Sequence, residues 1–115
     1  MVKSKKYIPD TGDIVWLNFN PVFGHKQSGR RPALTLSPKL YNEKTGLALF
    51  CPITSKIKGY SFEVNIPDNK FVNGVILSDQ IKSFDWTSRN AEYIFKVLDS
   101  TIKETMGKIR ALLKY

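Results

Sequence analysis

The chain has 115 residues, 42% of them apolar, which suits one domain built around one core. Eighteen Lys and Arg face ten Asp and Glu, and the formal charge of +8 favours polyanionic partners: nucleic acid, an acidic membrane surface or an acidic protein. One His and one Cys exclude an internal disulfide and zinc sites built on Cys/His spacing, and no apolar run approaches the roughly 20 residues needed to span a bilayer.

Residues 1–12 read as a loose, basic lead-in. Lys3, Lys5 and Lys6 form a solvated tail over residues 1–6, and "PDTGD" makes a turn. The start has charge but no apolar stretch, so it does not read as a secretory signal, and a reducing cytoplasm is expected. "DIVWLNF" (13–19) is dense in β-branched and aromatic residues and predicts a strand. The segment "GHKQSGRRPALTLSP" (24–38) then joins a polar, cationic loop to a rigid strand, "PALTLS" (32–37). Pro32 suits the first residue of a strand, where no ladder donor is needed.

"YNEKTG" (41–46) reads as a turn. "GLALFCPIT" (46–54) is apolar enough to be a strand covered on both faces, with Cys51 as an inert buried thiol. "YSFEVNI" (60–66) alternates, with Tyr60, Phe62, Val64 and Ile66 on one face, the period of a half-buried strand. "PDNKFVNG" (67–74) is a loop, and "VILSDQIKSFDW" (75–86) is one long bent strand or two short ones. Trp16 and Trp86 read as core or interface residues rather than stacking platforms.

The end is helical: Ile102, Met106, Ile109 and Leu113 recur at helical spacing, with Leu112 beside them. Asp99, Ser100 or Thr101 offers a cap, Thr101 with Glu104 fits a capping box, and Gly107 weakens the middle. With no repeat and no linker, residues 1–115 read as a single domain. Five to seven short strands must curl to enclose a core, so the expectation is a mainly β fold with a C-terminal helix: a bent sheet or partly open small barrel.

The familiar catalytic patterns are missing. No serine sits in a nucleophile elbow to partner His25, and phosphate-binding glycine motifs are absent. What remains is Arg, Lys, Thr, Ser and His25. Those groups suit phosphodiester chemistry on RNA, where the ribose 2′-hydroxyl already lies beside the phosphate. A protein need only align it and neutralise developing charge. Arg31, at the junction of loop and strand, is the natural phosphate clamp because its planar fork matches phosphate oxygens. Thr54 ends the third strand and is followed by Ser55, Lys56 and Lys58, a plausible second wall. Plainer roles compete: Arg30 and Arg31 as solvated or salt-bridged charges, Thr54 as a turn cap, the lysines as solubilising groups.

The segments "YIPDTGDIVWLNFNPVFGHKQSGRRPALTLSP", "YNEKTGLALFCPITSKIKGYSFEV" and "GVILSDQIKSFDW", in this order, resemble the MazF/PemK family of toxin endoribonucleases. The resemblance runs from about Tyr7 to Trp86, and the terminal helix fits it. It implies an SH3-like barrel with a C-terminal helix, a homodimer, and ribosome-independent, sequence-specific cleavage of single-stranded mRNA. The products would carry a 2′,3′-cyclic phosphate and a 5′-hydroxyl, formed with no metal or other cofactor. It implies as partner an antitoxin of the MazE type, whose acidic tail fills the RNA groove, and no membrane association. Arg31, before the "RPA" proline, and Thr54, in the "PxT" that ends the third strand, fall on the family's catalytic positions. The groove would include Phe19 as a base-stacking ring, Gln27, Arg30, Ser55, Lys56 and Gln80.

The chain departs from the family pattern where relatives carry an acid in "GxEQ": it has Lys26. Arginine is a poor base at neutral pH, so His25 next door becomes a candidate acid or base. Asn18 and Asn20 stand where close relatives carry aspartates, making the groove more positive. Two rivals remain at this stage: a non-enzymatic, gyrase-poisoning toxin of the CcdB type, and a passive nucleic-acid-binding barrel.

Overall fold

The computed structural model of the chain describes residues 6–19 and 29–114. Within them the elements run β1 (Asp13–Asn18), β2 (Arg30–Thr35), α1 (Lys39–Thr45), β3 (Leu47–Thr54), β4 (Glu63–Asn65), β5 (Val75–Leu77), β6 (Lys82–Asp85), β7 (Glu92–Lys96) and α2 (Asp99–Leu112). Every pairing is antiparallel, in the order β4-β5-β3-β2-β1-β7, with β6 also on β3.

β3 holds the sheet together because it changes partner along its length. Leu47–Phe50 pairs with β6, Phe50–Pro52 with β2, and Ile53–Thr54 with β5. A strand with three successive partners bends the sheet around itself and gives it two interior surfaces. On one, Ile14, Leu34, Cys51 and Ile53 are buried beneath α2, which contributes Ile109, Ile102 and Met106. On the other, Val15, Leu17, Ala33 and Phe50 are buried with Trp86, flanked by Tyr7, Phe19 and Phe84. The double cover expected for β3 holds from Phe50 to Ile53; Leu47 and Leu49, near its start, are exposed.

Several expectations need correction. The part of the lead-in within the described residues is not loose. Pro9 is fully buried, Gly12 N–H donates to the Thr35 carbonyl at 2.9 Å, and Thr11 Oγ1 donates to the Leu36 carbonyl at 3.0 Å. The segment read as a turn is mostly the helix α1. It stops at Gly46, whose φ of +75° gives the left-handed cap that glycine adopts at low cost. Asn42 anchors it from below: fully buried, its Nδ2 donates to the carbonyls of Pro9 (2.8 Å) and Ser37 (3.0 Å), and its Oδ1 accepts from Ser37 Oγ (2.6 Å).

The alternating segment 60–66 pairs only over Glu63–Asn65, and the 75–86 stretch resolves into the two short strands β5 and β6. α2 begins after Leu98 with no side-chain cap, so the capping box does not form. Thr101 is buried instead and accepts, through its carbonyl, from Thr105 Oγ1 at 2.9 Å. Leu112 and Leu113, expected on the apolar stripe, are exposed. No described helix is long and apolar enough to cross a membrane.

Candidate active site

Arg31 and Thr54 reach the same place by register. Ala33 of β2 pairs with Pro52 of β3. Two residues further along each antiparallel strand, the same row carries Arg31 on one and Thr54 on the other. There the strands part: β3 takes β5 as partner (Thr54 opposite Val75), and β2 stays with β1 (Arg31 opposite Leu17). The parting opens a cleft of about 430 Å³, and both Arg31 and Thr54 line it. Pro32 at this point has no N–H to leave unsatisfied where the β2–β3 ladder ends.

Ser55 and Lys56 line the cleft beyond Thr54, and Lys58, expected in the same wall, does not. The Thr54 hydroxyl accepts the Lys56 backbone N–H at 3.1 Å, which fixes the side chain and leaves its own proton to donate elsewhere. The turn-cap role and an outward donor are therefore compatible. Arg31 is exposed and, among the described residues, makes no ion pair or side-chain hydrogen bond. With Lys56 it gives the cleft two cations, and none of the described residues lining it is acidic. Such a lining is electrostatically suited to a phosphodiester.

The neighbouring arginine does different work. Arg30 is half-buried and bound within the protein: it donates to Asn18 Oδ1 at 2.9 Å and to the Asn90 carbonyl at 3.0 Å, and pairs closely with Glu92. It is not among the residues lining the cleft. Phe19 packs edge-on against Phe84, with centroids 5.3 Å apart, and belongs to the second core surface. Gln80 is exposed in the turn between β5 and β6, outside the cleft lining. His25 and Gln27 lie outside the described residues.

Sequence reading missed the far wall. Trp16 and the loop residues Phe71 and Asn73 line the cleft beside Arg31 and Thr54. An aromatic residue in the polar loop "PDNKFVNG" was the available signal. Gly74 seats this loop. Its φ is +127°, and a Cβ built on it would stand 2.1 Å from the Thr54 carbonyl oxygen. Only glycine lets two backbones meet this closely. Trp86, by contrast, is buried as expected. Cys51 is no nucleophile: burial, with Asp79 adding, pushes its thiol up to about 12.

A family model for the PemK-like, MazF-like toxins of type II toxin–antitoxin systems matches residues 10–113. The chain belongs to this family. It is 42% identical over 108 residues to the endoribonuclease toxin MazF of Escherichia coli K12, spanning 94% of this chain and 96% of that protein. A crystal structure of MazF from Deinococcus radiodurans superposes with a TM-score of 0.87 at 50% identity, covering 96% and 100% of the two chains. A chain of a Deinococcus radiodurans MazE–MazF crystal structure gives 0.84 at 47% identity, covering 94% and 97%. The mainly β sheet with its C-terminal helix is thus the MazF fold. Membership in a MazF-like endoribonuclease family does not favour either the CcdB-type toxin or the passive binding barrel.

Proposed function

We propose that Arg31 and Thr54 are the catalytic pair of this MazF-like toxin endoribonuclease, acting on single-stranded mRNA without a metal. The observation that carries this reading is that two residues from separate strand ends line one cleft with no acid among its described lining residues. The substrate's 2′-hydroxyl loses its proton and its oxygen bonds to phosphorus. The bond from phosphorus to the 5′-oxygen breaks, and that oxygen takes a proton. The products are a 2′,3′-cyclic phosphate and a 5′-hydroxyl.

Charge accumulates on the non-bridging oxygens as the linkage breaks. The Arg31 guanidinium meets it with a planar fork, and the Thr54 hydroxyl adds one donor. Lys56 and Ser55 hold the adjoining backbone. His25 is the candidate for moving the protons, given Lys26 where relatives carry an acid.

The working assembly is a cytoplasmic homodimer of single-domain chains. Its restraint is an antitoxin of the MazE type whose acidic segment occupies the same cationic cleft. Association of a +8 chain with such a segment should be faster at low salt, because complementary charge steers encounter.

The deciding experiment incubates purified protein with a long RNA and maps the new ends. Arg31→Ala is expected to keep most RNA binding and lose cleavage by about 10²-fold or more, the scale of a removed oxyanion donor. Full activity in Arg31→Ala would refute the assignment, and RNA binding by the native protein without cleavage would return the passive barrel.

A further inference from the structure

Phe71 is a cleft residue that neither the phosphate chemistry nor the core accounts for. A lone exposed apolar side chain needs no explanation. What sets Phe71 apart is its mounting. One face of its ring stacks on Phe95, with centroids 5.5 Å apart and planes 26° apart. Phe95 itself packs on the core surface beneath α2. The rest of the ring is open, leaving Phe71 59% exposed in the cleft wall.

The loop beneath the ring is pinned on both sides. Asn69 Oδ1 accepts the backbone N–H groups of Phe71 at 2.8 Å and Val72 at 2.7 Å, while its Nδ2 donates to the Pro67 carbonyl at 2.9 Å. Val72 is buried, and Gly74 seats against the Thr54 backbone. The ring is therefore held at a fixed place relative to the Thr54 hydroxyl.

Strand order supplies the rest of the geometry. Trp16 of β1, Arg31 of β2 and Thr54 of β3 stand on neighbouring strands along one cleft, which the loop carrying Phe71 also lines. Cations for the phosphates beside aromatic faces for the bases is the general arrangement for gripping a single strand.

On the reading that this cleft cuts RNA, we infer that the free face of Phe71 is the stacking platform for a base next to the scissile linkage. The base extends the Phe95–Phe71 pair by one ring. Phe71 then governs how tightly the substrate is held, not how fast the linkage breaks.

Steady-state cleavage of a single-stranded RNA by the full chain and three variants tests this. Phe71→Ala should raise KM roughly 5- to 100-fold with kcat within about threefold, the range expected from losing one base–aromatic stack. Phe71→Leu, which keeps bulk without a π face, should resemble Phe71→Ala, and Phe71→Tyr should return KM close to native. An unchanged KM in Phe71→Ala, a loss confined to kcat, or a Leu variant as good as Tyr would overturn the inference while leaving the nuclease reading intact. A native protein that cuts no RNA removes both.

Discussion

The indole Nε1 of Trp86 donates to the backbone carbonyl of Asn42 at 2.9 Å, tying the residue after β6 to the helix α1 inside the protein. The Asn42 side chain meanwhile holds Pro9 and Ser37. One residue thus fastens the lead-in, α1 and the end of β2. Asn42→Ala leaves several buried polar groups without partners and should destabilise the fold by about 2–4 kcal/mol, on the scale of 1–3 per orphaned group. Urea unfolding measures the loss. Cleavage per folded molecule should stay near native, since Asn42 does not line the cleft.

Gly74 is the opposite case, a backbone position whose change should reach the site. An added methyl group meets the Thr54 carbonyl, and the positive φ adds strain of its own. Gly74→Ala is expected to cost about 1–3 kcal/mol in stability. It should also lower kcat by about tenfold or more, because a misplacement of around 1 Å in a positioned group has large kinetic effects. Assaying at a temperature where the variant remains folded separates the two, and native kcat there would show that the contact does not position Thr54.

The two adjacent arginines should divide cleanly between fold and function. Arg30→Ala removes the bonds to Asn18, Asn90 and Glu92 and should lower stability by about 1 kcal/mol, the pair to Glu92 being partly solvated. Its cleavage rate should change little. Arg31→Ala should do the reverse, with an unchanged melting temperature and lost cleavage. Parallel melting curves and RNA assays on both variants decide it.

Alkali should loosen the fold before it touches the arginines. The Cys51 thiol is raised from 9.0 to about 12 by burial, and the Tyr7 phenol is raised from 10.0 by burial and by its 2.5 Å bond to Asp13. Both groups stay protonated in the fold and ionise more readily in the unfolded chain. Their contribution is therefore complete below about pH 9 and falls as pH rises toward 12. Denaturant midpoints between pH 8 and 11 should drop, and Cys51→Ala should make the early part of that drop shallower.

Strands whose side chains carry strong β preference were legible from sequence, and so were the strand ends at which Arg31 and Thr54 sit, whereas the cleft that takes both belongs to the folded sheet. α1 was not, since seven residues give too little periodicity to outweigh "NEKTG", whose glycine is its stop signal. β7 went unread because "EYIFK" neither alternates nor buries any residue fully. The buried stripe of α2 includes Thr101 and Thr105, which look polar in sequence, and the Thr105 hydroxyl donates back to the Thr101 carbonyl within the helix. The cleft's far wall was hidden for another reason: residues 71–73 share a cleft with Arg31 only through the long-range pairing of β5 with β3, which no local pattern signals.

Thr54 terminates the strand on which three others depend, so the reactive edge is mechanically continuous with the middle of the sheet. Nothing short of dismantling β3 would be expected to slacken that end alone. Heating should consequently extinguish RNA cutting and global order at a common midpoint, with no inactive yet otherwise intact species in between.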